Sequence, residues 1–158
     1  MLKHVLVPLD SSELAEEALD YARNLTGPGG KVTLLMVVLA PEYVTSGFYP
    51  VPFEYQVENY ETIRKNRVDE ARDYLKKVAE RLQKDDIEVN YVILVGNPAE
   101  CIIEKAESEN VDAIAMSTHG RSGLSRWIFG SVTQKVLSGT TCPVFVVPNR
   151  EKEAAAAH

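Results

Sequence analysis

Val5-Leu6-Val7-Pro8-Leu9-Asp10-Ser11-Ser12, near the start of the chain, runs apolar without alternation for five residues and then turns polar. An unbroken run of this kind suits a strand covered on both faces, as in a parallel sheet between two helical layers. Asp10 ends the run. Ser11 or Ser12 is then placed to cap a helix in which Leu14, Ala15, Ala18, Leu19, Ala22 and Leu25 recur at helical spacing. Glu13, Glu16 and Glu17 favour the positive end of that helix, and Gly27-Pro28-Gly29-Gly30 is expected to terminate it. Strand followed by helix is the first half of a βαβ unit.

The same alternation continues downstream. Val32 to Val38 reads as a second strand, followed by a Pro-, Tyr- and Gly-rich stretch from Pro41 to Pro52 that is long for a loop and suggests a lid. A long helix is expected over roughly Glu58 to Gln83, with Ile63, Ala71, Leu75, Val78 and Leu82 on one face and a solvated charged face opposite. Val89 to Val95 is the third strand. Asn97-Pro98-Ala99-Glu100 then combines a cap, a proline at the first helical position and a glutamate three residues after the cap. Ala113 to Met116 is the fourth strand, a helix begins near Ser131 with Gln134 completing a second capping pattern, and Val144 to Val147 is the fifth. Right-handed crossovers allow an open, doubly wound α/β fold: five parallel strands in the order 3-2-1-4-5 with helices on both faces. Its winding reverses between strands one and four, where ligands of such sheets bind.

Composition bounds the function. At 158 residues the chain has the size of one domain, read here as 1–149. The tail over 150–158, with its alanine run and final histidine, resembles an expression remnant. A net charge of −6 argues against a nucleic-acid footprint. The apolar stretches are shorter than the roughly 20 residues of a membrane span, and no export signal is visible, so a cytoplasmic protein is expected. Cys101 and Cys142 lack metal-type spacing and read as reduced, buried thiols.

The chemistry falls on the segment between the fourth strand and the next helix. Ser117-Thr118-His119-Gly120, nine residues, then Gly130-Ser131-Val132-Thr133 joins a strand's carboxyl end to a helix N-terminus. Glycines let backbone N–H groups approach phosphate oxygens, and the free N–H groups of a helix start carry partial positive charge. Arg121 adds a cation, and the hydroxyls of Ser122, Ser131 and Thr133 add donors. The plain alternative is a flexible glycine loop before a capped helix. Asp10 ends the neighbouring strand, where its carboxylate is placed to accept from a ribose or, more simply, to make a turn.

At these residues the chain resembles the universal stress protein family, from Val5 to Val147. Nucleotide-binding members carry Gly-x-x-Gly, nine residues, then Gly-Ser/Thr; Gly120, Gly130 and Ser131 match, whereas Ser117 stands at the first glycine position. Serine is costly there if the position needs a positive φ, and serves if it needs only a small side chain. Val7-Pro8-Leu9-Asp10, Val37 and Gly96-Asn97-Pro98 also match. The resemblance implies an ATP-binding protein with adenine against Pro8, Leu9 and Val37 and the ribose at Asp10. Phosphates would occupy Gly120, Arg121, Ser122 and Gly123 together with Ser131, Val132 and Thr133, and Met116, Ser117, Thr118, His119 and Gly130 complete the expected nucleotide site. No carboxylate cluster offers a metal cage, so Mg²⁺ is expected only with the nucleotide.

Catalysis has less support. The phosphate-gripping Gly-x-x-x-x-Gly-Lys-Ser/Thr sequence of P-loop hydrolases does not occur, His119 has no evident orienting partner, and no serine sits in a Gly-x-Ser-x-Gly elbow. A nucleotide-dependent stress or signalling switch acting on an unknown protein client is therefore preferred. A slow ATPase or phosphoryl- or adenylyl-transferring enzyme, and an interaction domain that binds no nucleotide, are the alternatives. Order 3-2-1-4-5 leaves Val144-Phe145-Val146-Val147 at an edge, which predicts a homodimer paired through 144–147 about a two-fold axis.

Overall fold

The computed structural model describes residues 1–40, 53–83, 86–118 and 129–148, those of 53–59 by backbone alone. The expected lid over 41–52, the tail over 150–158 and five expected site residues, His119 to Gly123, lie outside them. The elements run β1 Leu2–Leu9, α1 Glu13–Leu25, β2 Thr26–Leu39, α2 Phe53–Leu82, β3 Glu88–Gly96, α3 Pro98–Ser108, β4 Ala113–Ser117, α4 Ser131–Gly139 and β5 Val144–Val147. All five strands are parallel, in the order β3-β2-β1-β4-β5.

Successive residues of β1 feed two separate cores. Val5, Val7 and Leu9 pack with Ala18 and Ala22 of α1 and Leu75 and Val78 of α2. Leu6 packs the other way, with Ile102 of α3, Ile114 of β4 and Val136 of α4. Each fully buried branched side chain contributes roughly 1.5–3 kcal/mol relative to exposure, so this two-sided strand organises both layers. Tyr74 and Arg81 of α2 both donate to the carboxylate of Glu16, at 2.8 and 2.6 Å, and so tie α2 to α1. Burial, then the bond to Glu16, pushes the Tyr74 phenol well above its ordinary range.

Three local expectations need correction. The α1 helix ends at Thr26, whose hydroxyl donates to the Ala22 carbonyl at 2.8 Å, before the glycine cluster is reached. Gly27 to Gly30 instead form the irregular start of β2, where Gly29 has φ of 75° and a Cβ on Gly30 would lie 2.5 Å from the Thr26 methyl. Glycine is required there for a turn inside the strand, not for a helix stop. Ile63 is 50% exposed rather than on the buried face. At 1.5 Å per residue the 30-residue α2 spans about 45 Å, and its described side chains are buried only from Ala71 onward. Cys101 and Cys142 are free thiols but only half-buried, and desolvation leads in pushing both above the ordinary thiol range.

Polar residues gather at the amino end of the sheet. His4 Nε2 lies 2.8 Å from Thr33 Oγ1 and 3.4 Å from Glu109 Oε2, while Lys31 and Lys105 approach Glu109 at 3.6 and 2.7 Å. Asp112 accepts from the backbone N–H groups of Lys3 and His4 at 2.7 and 2.8 Å. Desolvation, then the charge of Lys31, lowers the His4 pKa. The bond from Lys105 leads in lowering that of Glu109.

Candidate functional site

The opposite end of the sheet opens where β1 and β4 part. Their pairing stops at Leu6 and Ile114, whereas β1 continues against β2 to Leu9 and β4 continues against β5 to Ser117. Pro8 falls beyond the last β1–β4 pair, so its missing N–H interrupts no bond in that ladder. The resulting crevice is a cavity of about 360 Å³ at the reversal of winding.

Eleven of the sixteen expected site residues are described, and all eleven line this cavity. Pro8, Leu9 and Asp10 come from the end of β1, Val37 from β2, Met116 and Ser117 from β4, Thr118 from just beyond it, and Gly130, Ser131, Val132 and Thr133 from the start of α4. Ala15, Leu35, Pro98 and Ile102 also line it and were not anticipated. Spacing could have found three of them: Leu35 lies two residues before Val37 on the same strand face, and Pro98 and Ile102 are one helical turn apart. One wall is thus apolar. The opposite rim is the N-terminus of α4, whose first N–H groups have no preceding helical carbonyl to bond.

The start of α4 differs from expectation. Gly130, not Ser131, is the N-cap, with φ of −59° and ψ of 157°, and no side chain caps the helix. Ser131 is therefore the first helical residue. The Thr133 hydroxyl is not free for a ligand, because it donates to the Ser117 carbonyl at 3.3 Å. The Gly130 N–H is likewise used, bonding the Thr118 carbonyl at 3.0 Å. These two bonds pin the end of β4 to the start of α4, leaving the backbone N–H groups of Ser131, Val132 and Thr133 as the donors without an intrahelical partner. Ser117 lies within β4, and the positive-φ non-glycine residues among those described are Ser11 and Asn110. Serine at the first glycine position is therefore unstrained.

Asp10 leaves β1 and meets α1. Its Oδ1 accepts the Ser12 N–H at 3.0 Å and the Ser12 hydroxyl at 2.5 Å, and the Ser12 Oγ in turn accepts the Ala15 N–H at 3.1 Å as the α1 cap. Ser11, between them, has φ of 65°. Among the described residues no group of three or more His, Cys, Asp or Glu side chains is arranged to hold a metal ion.

A parallel sheet wound in this order, with a mostly apolar crevice at its reversal and a helix N-terminus on the rim, is a doubly wound α/β domain, a class whose ligands sit at the strand ends. A sequence model of the universal stress protein family matches residues 1–148, and the chain belongs to that family. It is 31% identical to universal stress protein MJ0531 of Methanocaldococcus jannaschii, over 97% of this chain and 86% of that one. The solved structure of MJ0577 from the same organism superposes with a TM-score of 0.78 at 33% identity, covering 94% of this chain and 96% of that one. An Arabidopsis thaliana family protein solved with AMP bound shares the fold at 17% identity and a TM-score of 0.64, covering 96% and 94%. Among the described residues no helix is long and apolar enough to cross a membrane.

Proposed function

We propose that this protein binds an adenine nucleotide, ATP, in the crevice between β1 and β4, and works as a nucleotide-dependent stress or signalling switch in the cytoplasm. One observation carries the reading: a single cavity joins an apolar slot, a carboxylate at Asp10 and the first N–H groups of α4, which have no intrahelical partner. A flat aromatic base, a polyhydroxylated sugar and an anionic phosphate need those three surfaces in that succession. AMP in an Arabidopsis thaliana protein of the same fold is consistent with this ligand class. Asp10 is the one carboxylate among the described lining residues, and its Oδ1 is engaged by Ser12, so Mg²⁺ would be held by the phosphates rather than by a protein cage.

Mass spectrometry of small molecules released from the denatured protein, followed by a time course with added ATP and Mg²⁺, tests this reading. Captured or titratable ATP that persists supports the switch. Steady ADP production would make the protein a slow ATPase, and the absence of any adenine-nucleotide binding would overturn the proposal.

The switch is read as a homodimer joined through β5. That edge strand presents Phe145 at 42% exposure, with Phe129 and Leu137 also exposed. Pairing two copies covers the open ladder and the aromatic ring together. Sedimentation of the parent and of Phe145→Lys checks it: a dimer that becomes monomeric is expected, and a monomeric parent or an unaffected variant removes β5 as the interface.

A further inference from the structure

The turn between β1 and α1 fixes more than the chain's path. A carboxylate has about four lone-pair positions, two on each oxygen. Asp10 Oδ1 receives two donors, the Ser12 N–H at 3.0 Å and the Ser12 hydroxyl at 2.5 Å, which fills its share. Among the described residues no donor bonds to Oδ2, and Asp10 lines the cavity. The direction of the Ser12 hydroxyl is also determined. Its oxygen accepts the Ala15 N–H at 3.1 Å, so its hydrogen is directed to Asp10. A continuous chain therefore runs from the α1 backbone through Ser12 to one oxygen of Asp10, anchoring the carboxylate to the positive end of a helix. Ser11 pays for this turn with a left-handed backbone, φ 65°, which non-glycine residues seldom adopt.

We propose that Ser12 is a positioning residue for ligand selection: by occupying Oδ1 twice it presents Oδ2, with both lone pairs free, to the two hydroxyls of a vicinal diol. Ser12 itself does not line the cavity. It acts through Asp10, and the selected feature is an intact ribose rather than the base or the phosphates. This inference rests on the adenine-nucleotide reading above.

The test measures affinities for ATP and for 2′,3′-dideoxy-ATP, which differ only in the diol, on the full-length parent, Ser12→Ala and Ser12→Thr. The parent is expected to prefer ATP about tenfold or more, as hydrogen bonds to a charged acceptor do. In Ser12→Ala the preference should fall below about threefold through weaker ATP binding, with dideoxy-ATP affinity unchanged; Ser12→Thr, which keeps the hydroxyl, should restore it. A purely structural role as helix cap would lower the melting temperature of Ser12→Ala without changing the ratio between the two nucleotides. Where Ser12→Ala is too unstable to assay, Ser12→Gly removes the hydroxyl at a smaller cost to the cap than alanine does. A parent-like ratio in the hydroxyl-free variant overturns the role of Ser12. A parent that binds both nucleotides equally overturns it as well, by removing the diol contact while leaving nucleotide binding intact. A parent that binds neither overturns the nucleotide reading itself, and this inference with it.

Discussion

The two ends of the sheet carry similar polar side chains and treat them in opposite ways. At the amino end His4, Thr33, Lys31, Lys105 and Glu109 meet one another, and Asp112 closes on the backbone of β1. At the carboxyl end, among the described residues, the polar groups are only half used: Asp10 is bonded through one oxygen, and α4 begins without a side-chain cap. Both ends are held together by backbone hydrogen bonds, so the contrast lies in satisfaction rather than in order. A closed network contributes to stability, whereas an open one beside a cavity leaves binding energy for something else.

Gly130→Val should break the contrast most strongly. Its backbone angles are open to any residue, so the change is expected to cost no more than about 1 kcal/mol of stability through the poorer cap. A branched Cβ at the rim should nonetheless weaken ATP binding about 100-fold, equivalent to about 2.7 kcal/mol. Calorimetric titration of the folded variant checks this, and parent-like affinity would remove the phosphate role of the α4 start. Glu109→Ala should do the reverse at the amino end. His4, Lys31 and Lys105 would lose their shared carboxylate, costing about 1–2 kcal/mol at this partly exposed position, with ATP affinity within twofold of the parent. Chemical denaturation and titration of one preparation separate the two effects; equal losses in both would mean that the ends are coupled.

The smallest effect is that of pH. The folded-state pKa of His4 lies below its ordinary value of 6.5, so the folded protein resists its protonation. Stability is therefore complete above about pH 6.5 and declines as pH falls below it. Glu109, held below its ordinary 4.5 chiefly by Lys105, keeps its contribution above that value and loses it only at more acid pH. Replacing His4 by Gln should flatten the upper part of the decline and leave the lower part. Melting temperatures from pH 7.5 to 4 check it, and an unchanged profile in His4→Gln would assign the upper decline to another group.

Much of the fold behind this contrast was legible in sequence. Strand order followed from the doubly buried run at Val5–Leu9 and the spacing of later strands, and the Asn97-Pro98 helix start stands as read, with Asn97 Oδ1 accepting the Glu100 N–H at 3.2 Å. Periodicity failed where neighbours, not pattern, decide exposure. Ile63 has the spacing of a buried residue but lies on a stretch of α2 whose side chains stay exposed. Capping chemistry failed where a serine and a glycine are adjacent: Ser131 looked like the cap because its side chain can serve, yet Gly130 takes the position and leaves the helix start uncapped. The amino-end network left no sequence signal at all, since Glu109 meets His4 and Thr33 only across 105 and 76 positions of chain. Site residues on β1 and at the α4 start were legible because they follow strand ends, whereas Pro98 and Ile102 enter from a helix whose cavity-facing side depends on the packed layer.

The bonds Gly130 N–H to Thr118 carbonyl and Thr133 hydroxyl to Ser117 carbonyl have a use in engineering. Together they form a neck between the residues that flank the intervening segment, made by atoms outside it. Foreign sequence grafted between Thr118 and Gly130 would reach the cavity mouth with its termini already fixed, and each doubling of its length would add only about 0.6 kcal/mol of closure entropy. The neck thus marks a pair of graft points at which new recognition can be inserted without disturbing β4 or α4.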